Sequence, residues 1–186
     1  METNVKVKGI WNKLRKSGKK QLNVFVVDDD PNYLKLINHQ LKTVMGNMVN
    51  VHTFQSGDAC MMNLHYNPDV VIMDQYLDED NVSNTGLNVM KQLKRISPDL
   101  YVLIISGKND VELSIKAIKE GALDFIHKGK NAIQRILNDF SKVLNRMIKA
   151  KEESQYQNYV LAVKIIVGTI VLSVACARLL VPSIFQ

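Results

Sequence analysis

The sequence predicts an α/β fold in which five βα units wind around one parallel sheet, with an apolar helix following at the C-terminal end. Three observations carry this expectation. From Gln21 onward, short β-branched apolar runs alternate with longer stretches of helical period. The short runs are apolar nearly throughout, as strands covered on both faces by helices are. Near the C-terminal end, Ile165 to Ala177 carries no charge. A length of 186 residues suits one domain with appendages.

The strands are expected at Leu22 to Val27, Val49 to Phe54, Val70 to Asp74, Tyr101 to Ile105 and Phe125 to His127. Asp30 followed by Pro31 is an N-cap with proline at the first helical position, opening a helix through about Val44. Ser56 caps a second helix, to about Tyr66. A third spans Gly86 to Ile96 and stops at Ser97 and Pro98; a fourth spans Asp110 to Glu120 and stops at Gly121; a fifth begins near Ala132.

Open α/β sheets bind ligands beyond the carboxyl ends of their strands. Those positions hold Asp28, Asp29 and Asp30 after the first run, Asp74 closing the third, Ser106 after the fourth and Lys128 after the fifth. Carboxylates brought this close raise one another's pKa unless a divalent cation holds them, and hard oxygen donors suit Mg2+. A carboxylate beside such a metal can attack phosphorus while a lysine and a hydroxyl neutralise charge on the phosphoryl oxygens. The pattern points to phosphoryl transfer onto an aspartate.

The runs VFVVDDDP, VVIMD, VLIIS and GALDFIHK, in register over roughly Asn23 to Ala150, resemble the receiver domain of two-component response regulators. The resemblance implies a doubly wound, flavodoxin-like five-stranded sheet of order 2-1-3-4-5. It implies a switch and not an enzyme, one that catalyses at most its own phosphorylation and dephosphorylation. The phosphoryl donor would be a histidine kinase or phosphotransfer protein. Carried over residue by residue, Asp28, Asp29 and Asp74 bind Mg2+ together with the backbone carbonyl of Tyr76, and Asp74 accepts the phosphoryl group. Ser106 and Lys128 contact its oxygens, and Phe125 is the aromatic whose rotation reports the state. The signal would pass by phosphorylation-dependent contact with a downstream protein through the fourth of these helices, the fifth strand and the fifth helix. The alternative is a receiver fold kept as a structural subunit or adaptor of a membrane complex, with vestigial phosphorylation.

This chain departs from the family's pattern in three places. The family reaches a glycine eight residues after the acceptor, whereas Gly86 is twelve residues past Asp74, so an acidic insertion over 78–85 sits beside the site. It is either a tolerated surface insertion or an element that binds a partner or shields the acceptor. Gly129 follows Lys128 where the family commonly has proline, and a cis peptide without proline costs roughly 2.5 to 4 kcal/mol, so none is expected there. Phe125 lacks the hydroxyl of the tyrosine often found at its position. Two competing motifs fall in the insertion. Asp78 to Gly86 has the alternate acids of a calcium loop but Val82 in place of a third ligand and no bidentate glutamate, and Asn81-Val82-Ser83 fits a glycosylation acceptor that has no meaning in a cytoplasmic loop. His39, His52, His65 and His127 have no partner at metal-ligand spacing, and neither Cys60 nor Cys176 does.

The net charge of +6 sits at the ends: residues 1–20 hold seven Lys or Arg against Glu2, while residues 21–153 hold fifteen against seventeen Asp or Glu. A basic tail on a slightly acidic domain suits an anionic membrane surface as readily as nucleic acid. Val7, Ile10, Trp11 and Leu14 give that tail one apolar helical face, although Gly9 weakens it. The organisation expected is a basic N-terminal tail over 1–20, a receiver over 21–153, and over 154–186 a linker with a transmembrane or membrane-inserted helix. Tyr159 to Leu180 as a helix spans about 33 Å, against about 30 Å for a hydrocarbon core. Ile165, Gly168, Leu172 and Ala177 would lie in lipid, with Lys164 and Arg178 reaching toward the two surfaces; a helix buried in a protein interface is the other reading. Only 33 residues follow Glu153, too few for a DNA-binding or catalytic domain, so no nucleic-acid partner is expected. No secretory signal opens the chain, which places the receiver on the cytoplasmic side of the inner membrane.

Overall fold

The computed structural model describes residues 2–16, 19–77 and 85–180. Their elements are α1 (Glu2–Lys16), β1 (Leu22–Val27), α2 (Pro31–Met45), β2 (Val49–Phe54), α3 (Gly57–Met62), β3 (Val70–Asp74), α4 (Gly86–Ile96), β4 (Tyr101–Ser106), α5 (Val111–Lys119), β5 (Asp124–His127) and α6 (Ala132–Leu180). The chain forms two compact units, 1–145 and 146–186.

In the first unit the five strands are all parallel and ordered β2-β1-β3-β4-β5, as expected. The three inner strands are apolar because both faces are covered, and Val24 to Val27, Val70 to Met73 and Val102 to Ile105 are buried. One core cluster runs from Phe25 and Val27 through Val71 and Met73 to Val102 and Ile104, against Leu87, Met90 and Leu93 of α4 and Ala117 of α5. Side-chain caps set where the helices begin. Asp30 accepts from the Asn32 N–H, Ser56 from Ala59, Thr85 from Asn88 and Asp110 from Leu113. No cis peptide bond occurs among the described residues.

Three segments differ from expectation. The second helix of the units, expected to reach Tyr66, ends at Met62. The Asn63 amide donates to the Ala59 carbonyl, and the chain continues through a 3-10 turn to Asn67 at φ 51°, a left-handed conformation that asparagine tolerates. The supposed N-terminal tail is a helix, and the apolar stripe read as a membrane face is occupied: Val7, Trp11 and Leu14 are buried within the first unit. A helix with a ready-made apolar face next to exposed core lowers its free energy by covering that core. The stretch from 154, expected to contain a linker, is unbroken helix to Leu180, with the Gln157 amide bonded to Glu153 one turn back. No Pro or Gly interrupts it before Gly168.

The described part of the second unit is helix with its apolar side chains exposed. Leu161, Ile165, Ile166, Val167, Ile170, Val171, Leu172 and Val174 face outward on all sides, and the helix is long and apolar enough to cross a membrane by length and composition. A helix apolar all round has no side suited to water.

Because Trp11 is buried, Trp11→Ala should lower the unfolding free energy by about 3 kcal/mol in urea titrations followed by circular dichroism. A solvated tail would show a change within about 0.5 kcal/mol.

Candidate functional site

Parallel register gathers the chemistry at one end of the sheet. Val27 pairs with Met73, so Asp28 and Asp74 stand level on adjacent strands; Asp74 pairs with Ile105, and Ser106 with His127. Lys128 is the next residue on, and its backbone N–H donates to the Ser106 carbonyl at 2.7 Å, holding it beside β4. Side chains distant in sequence thus converge because each is the last residue of a strand or the first beyond it.

Asp28, Asp29 and Asp74 place one carboxylate oxygen each within 4.8 Å of the others. Asp28 is fully buried and Asp74 is 4% exposed, while Asp29 is exposed. The Lys128 ammonium lies 2.7 Å from Asp28 Oδ2 and 2.7 Å from Asp74 Oδ2, bridging the two buried acids. Burial pushes both carboxyls above the ordinary aspartate range, against the pull of Lys128, and in Asp74 the Asp28 charge adds to the rise. Burial works against the Lys128 ammonium too, but its contacts with Asp28 and Asp74 outweigh that and leave its pKa raised. Asp28 Oδ1 accepts from the Asp30 N–H at 3.0 Å. Among the described residues, Asp74 Oδ1 is buried with no partner in hydrogen-bond geometry, while the Tyr76 backbone N–H draws the Asp74 pKa down. An orphaned carboxylate oxygen beside two further carboxylates is the donor set a hard divalent cation takes.

Ser106 is buried, and its Oγ accepts from the Lys108 N–H at 3.1 Å, leaving the hydroxyl proton available to an acceptor in the pocket. Phe125 is buried in the core cluster, paired with Ile104. Tyr76 lies just past Asp74 and forms an isolated antiparallel bridge with Thr85. That bridge closes the base of the segment containing the expected insertion, and residues 78–84, with the calcium-like and glycosylation-like patterns, lie outside the described residues. Closure brings Gly86 onto the backbone of Asp74. A Cβ at Gly86 would collide with the Asp74 carbonyl oxygen and come within 2.9 Å of its carbonyl carbon.

Three neighbours were not legible in the sequence. The Tyr33 ring lies under Lys128, with Nζ 4.5 Å from its centroid, and Lys108 lies 4.4 Å from the Tyr76 centroid. Gln75 is buried, its side-chain oxygen accepting from the Leu87 N–H at 3.3 Å. No motif flags them; only the convergence of three loops does.

The family model described as the response regulator receiver domain matches residues 24–139. Among curated proteins, the response regulator protein TodT of Pseudomonas putida is 27% identical over 56% of this chain and 44% of its own length. The nitrogen assimilation regulatory protein NtrX of Azorhizobium caulinodans is 29% identical over 59% of this chain and 23% of its own. The chain thus spans less than half the length of these relatives. Among solved structures, the BeF3-activated DrrB receiver domain aligns at TM-score 0.57 and 26% identity, covering 67% of this chain and 98% of that one. The receiver domain of NtrX from Brucella abortus aligns at TM-score 0.57 and 27% identity, covering 66% and 98%.

Since burial raises the Asp28 and Asp74 pKa values, these groups hold protons at a pH where an ordinary aspartate, near 3.9, has lost them. A divalent cation needs both deprotonated, so Mg2+ affinity should fall as pH falls, beginning above the ordinary aspartate range. Calorimetric titration with Mg2+ from pH 7.5 down to the ordinary aspartate value of about 4 checks this, and a pH-independent affinity over that whole span would contradict it.

Proposed function

The chain belongs to the response regulator receiver family, and from that premise we propose that it is a phosphoryl-accepting switch with Asp74 as acceptor, tethered to a membrane by the apolar part of α6. Receivers are not enzymes in the usual sense, and membership implies a histidine kinase as partner. Its acidic triad, Asp28, Asp29 and Asp74, is typical of the receiver Mg2+ site. The observation that carries the reading is the Asp74 carboxylate itself, set between two acids and Lys128 with one oxygen unpartnered.

Asp28, Asp29 and Asp74, with the Tyr76 carbonyl, would hold Mg2+, which supplies positive charge to the phosphoryl oxygens during transfer. An Asp74 oxygen attacks phosphorus, the P–N bond of a phosphohistidine breaks, and its electron pair leaves on the imidazole, which takes up a proton. The product is an acyl phosphate on Asp74. Lys128, already 2.7 Å from that carboxylate, needs only a small movement to pair with a phosphoryl oxygen, and the Ser106 hydroxyl donates to another. Phe125 is the aromatic proposed to report that movement. A domain retained only for its shape would have no use for buried carboxylates this costly to cluster.

Output through α5, β5 and α6 is supported by Val111, Ile115 and Ile118, which are exposed at i, i+4 and i+7 along α5 and form an apolar stripe suited to a protein partner. Tethering is supported by the exposed, all-round apolar surface of the second unit, in which Ile165, Gly168, Leu172 and Ala177 are the proposed anchor residues. The receiver would then face the cytoplasm.

Asp74→Asn should abolish uptake of phosphate or beryllofluoride in the presence of Mg2+, because the amide is no nucleophile; retained uptake would sink the assignment. Lys128→Ala should bind Mg2+ at least as tightly, having lost a competing cation, yet show no spectroscopic change on beryllofluoride addition. An unchanged response would remove Lys128 from the switch.

The anchor is tested by fractionation. The full chain should stay with membranes through high salt and alkaline carbonate, since extracting an inserted helix exposes apolar surface at about 25 cal/mol per Å2, which ionic strength does not offset. A chain ending at Glu153 should be soluble. Release of the full chain by salt would assign the helix to a protein interface.

A further inference from the structure

At the opposite end of the sheet from the acid pocket, where the strands begin, α1 meets the end of α2 and the turn before β2 around a cleft of about 660 Å3. Its apolar floor is Trp11, Met45 and Met48, all buried. Around the rim stand Lys8, Arg15 and Lys20, with Asn12, Gln21 and Asn47 between them, the Gln21 side-chain amide donating to the Asn47 carbonyl at 3.1 Å. Lys8, Asn12 and Arg15 lie at i, i+4 and i+7 on one face of α1, so the helix that buries Trp11 also aims two cations over it. No acidic residue lines the cleft, and none of the three cations is in an ion pair among the described residues. Lys19, one residue from Lys20, is by contrast paired with Asp69 at 2.7 Å. The volume lies within the usual range for a small-molecule site.

We propose that this cleft is a binding site for the phosphate group of an amphiphilic phosphate ester of net negative charge, the phosphate held by Lys8, Arg15 and Lys20 and the apolar part resting on Trp11, Met45 and Met48. A guanidinium pairs with two oxygens of one phosphate, and the two ammonium groups beside it suit a group with several acceptor oxygens better than a carboxylate with two. The apolar floor gives no reason for a bare ion to be preferred over an ester that also covers it. The site is independent of the acid pocket, from which the whole length of the sheet separates it. It replaces the earlier expectation of an apolar face lying in lipid: α1 turns that face inward and offers its charges.

Trp11 is the only tryptophan in the chain, so its fluorescence reports on the cleft alone. The full chain in neutral maltoside detergent is titrated with dihexanoylphosphatidylglycerol, with dihexanoylphosphatidylcholine and with inorganic phosphate. A saturable change with the phosphatidylglycerol and not the phosphatidylcholine, weakened at least tenfold in Lys8→Gln/Arg15→Gln, supports the site and names a lipid headgroup as its source. The same behaviour with inorganic phosphate supports the site and assigns it to a soluble phosphate compound. Lys116→Gln/Lys119→Gln, on exposed α5, removes as much charge away from the cleft and should leave the titration unchanged. The proposal is overturned by no saturable response to any probe, by equal responses to both lipids, by a response that survives Lys8→Gln/Arg15→Gln, or by equal weakening in the α5 variant.

Discussion

Two aspartates buried side by side at the ends of parallel strands need a cation, and the bridge from Lys128 to Asp28 and Asp74 supplies it. Desolvation disfavours each carboxylate, and proximity sets the two against each other. The ammonium, itself desolvated, is kept charged by the acids it joins. The result is a pocket balanced internally but not rigidly committed: one oxygen of Asp74 has no partner, Asp29 stands exposed at the edge, and the bridging charge is on a flexible side chain. Such an arrangement can trade its internal cation for an external one and would respond to a change of charge in the acidic pocket.

Everything around the pocket serves that placement. Three inter-strand pairings put the acids and the lysine at one level, and the Lys128 N–H to Ser106 carbonyl bond fixes the exit of β5. On the other side of Asp74, the Tyr76–Thr85 bridge returns the chain after its longer excursion, so that α4 begins against the Asp74 backbone. Gly86 is required by that contact, since any side chain would strike the Asp74 carbonyl. The length of the intervening segment can therefore vary without moving Asp74, because the bridge and the glycine define both ends.

The two terminal helices show how one property, an apolar face, leads to different outcomes. In α1 the apolar residues form a narrow stripe, and a stripe can be buried against a neighbouring surface while the cations stay in water. In the later part of α6 they occupy every side, so no single neighbour could cover them, and a surrounding apolar medium or several partners at once would be needed.

Much of this was legible in the residues. Apolar runs marked β1 to β5 within a residue, and Asp30, Ser56 and Asp110 marked helix starts, because strand burial and capping are local chemistry that leaves a local pattern. Asp28, Asp29, Asp74, Ser106 and Lys128 could be named as one constellation because a parallel sheet sends every strand's end to the same side. The sequence alone held no sign that Tyr33 would lie under Lys128, that Lys108 would cover Tyr76, or that α3 would stop at Asn63. Nor could the Val7, Trp11 and Leu14 stripe disclose what it covers, since an amphipathic helix has the same pattern whether its apolar face meets lipid or protein. Periodicity records that a face must be buried; only the tertiary structure decides against what, because that depends on which surfaces the rest of the chain leaves uncovered.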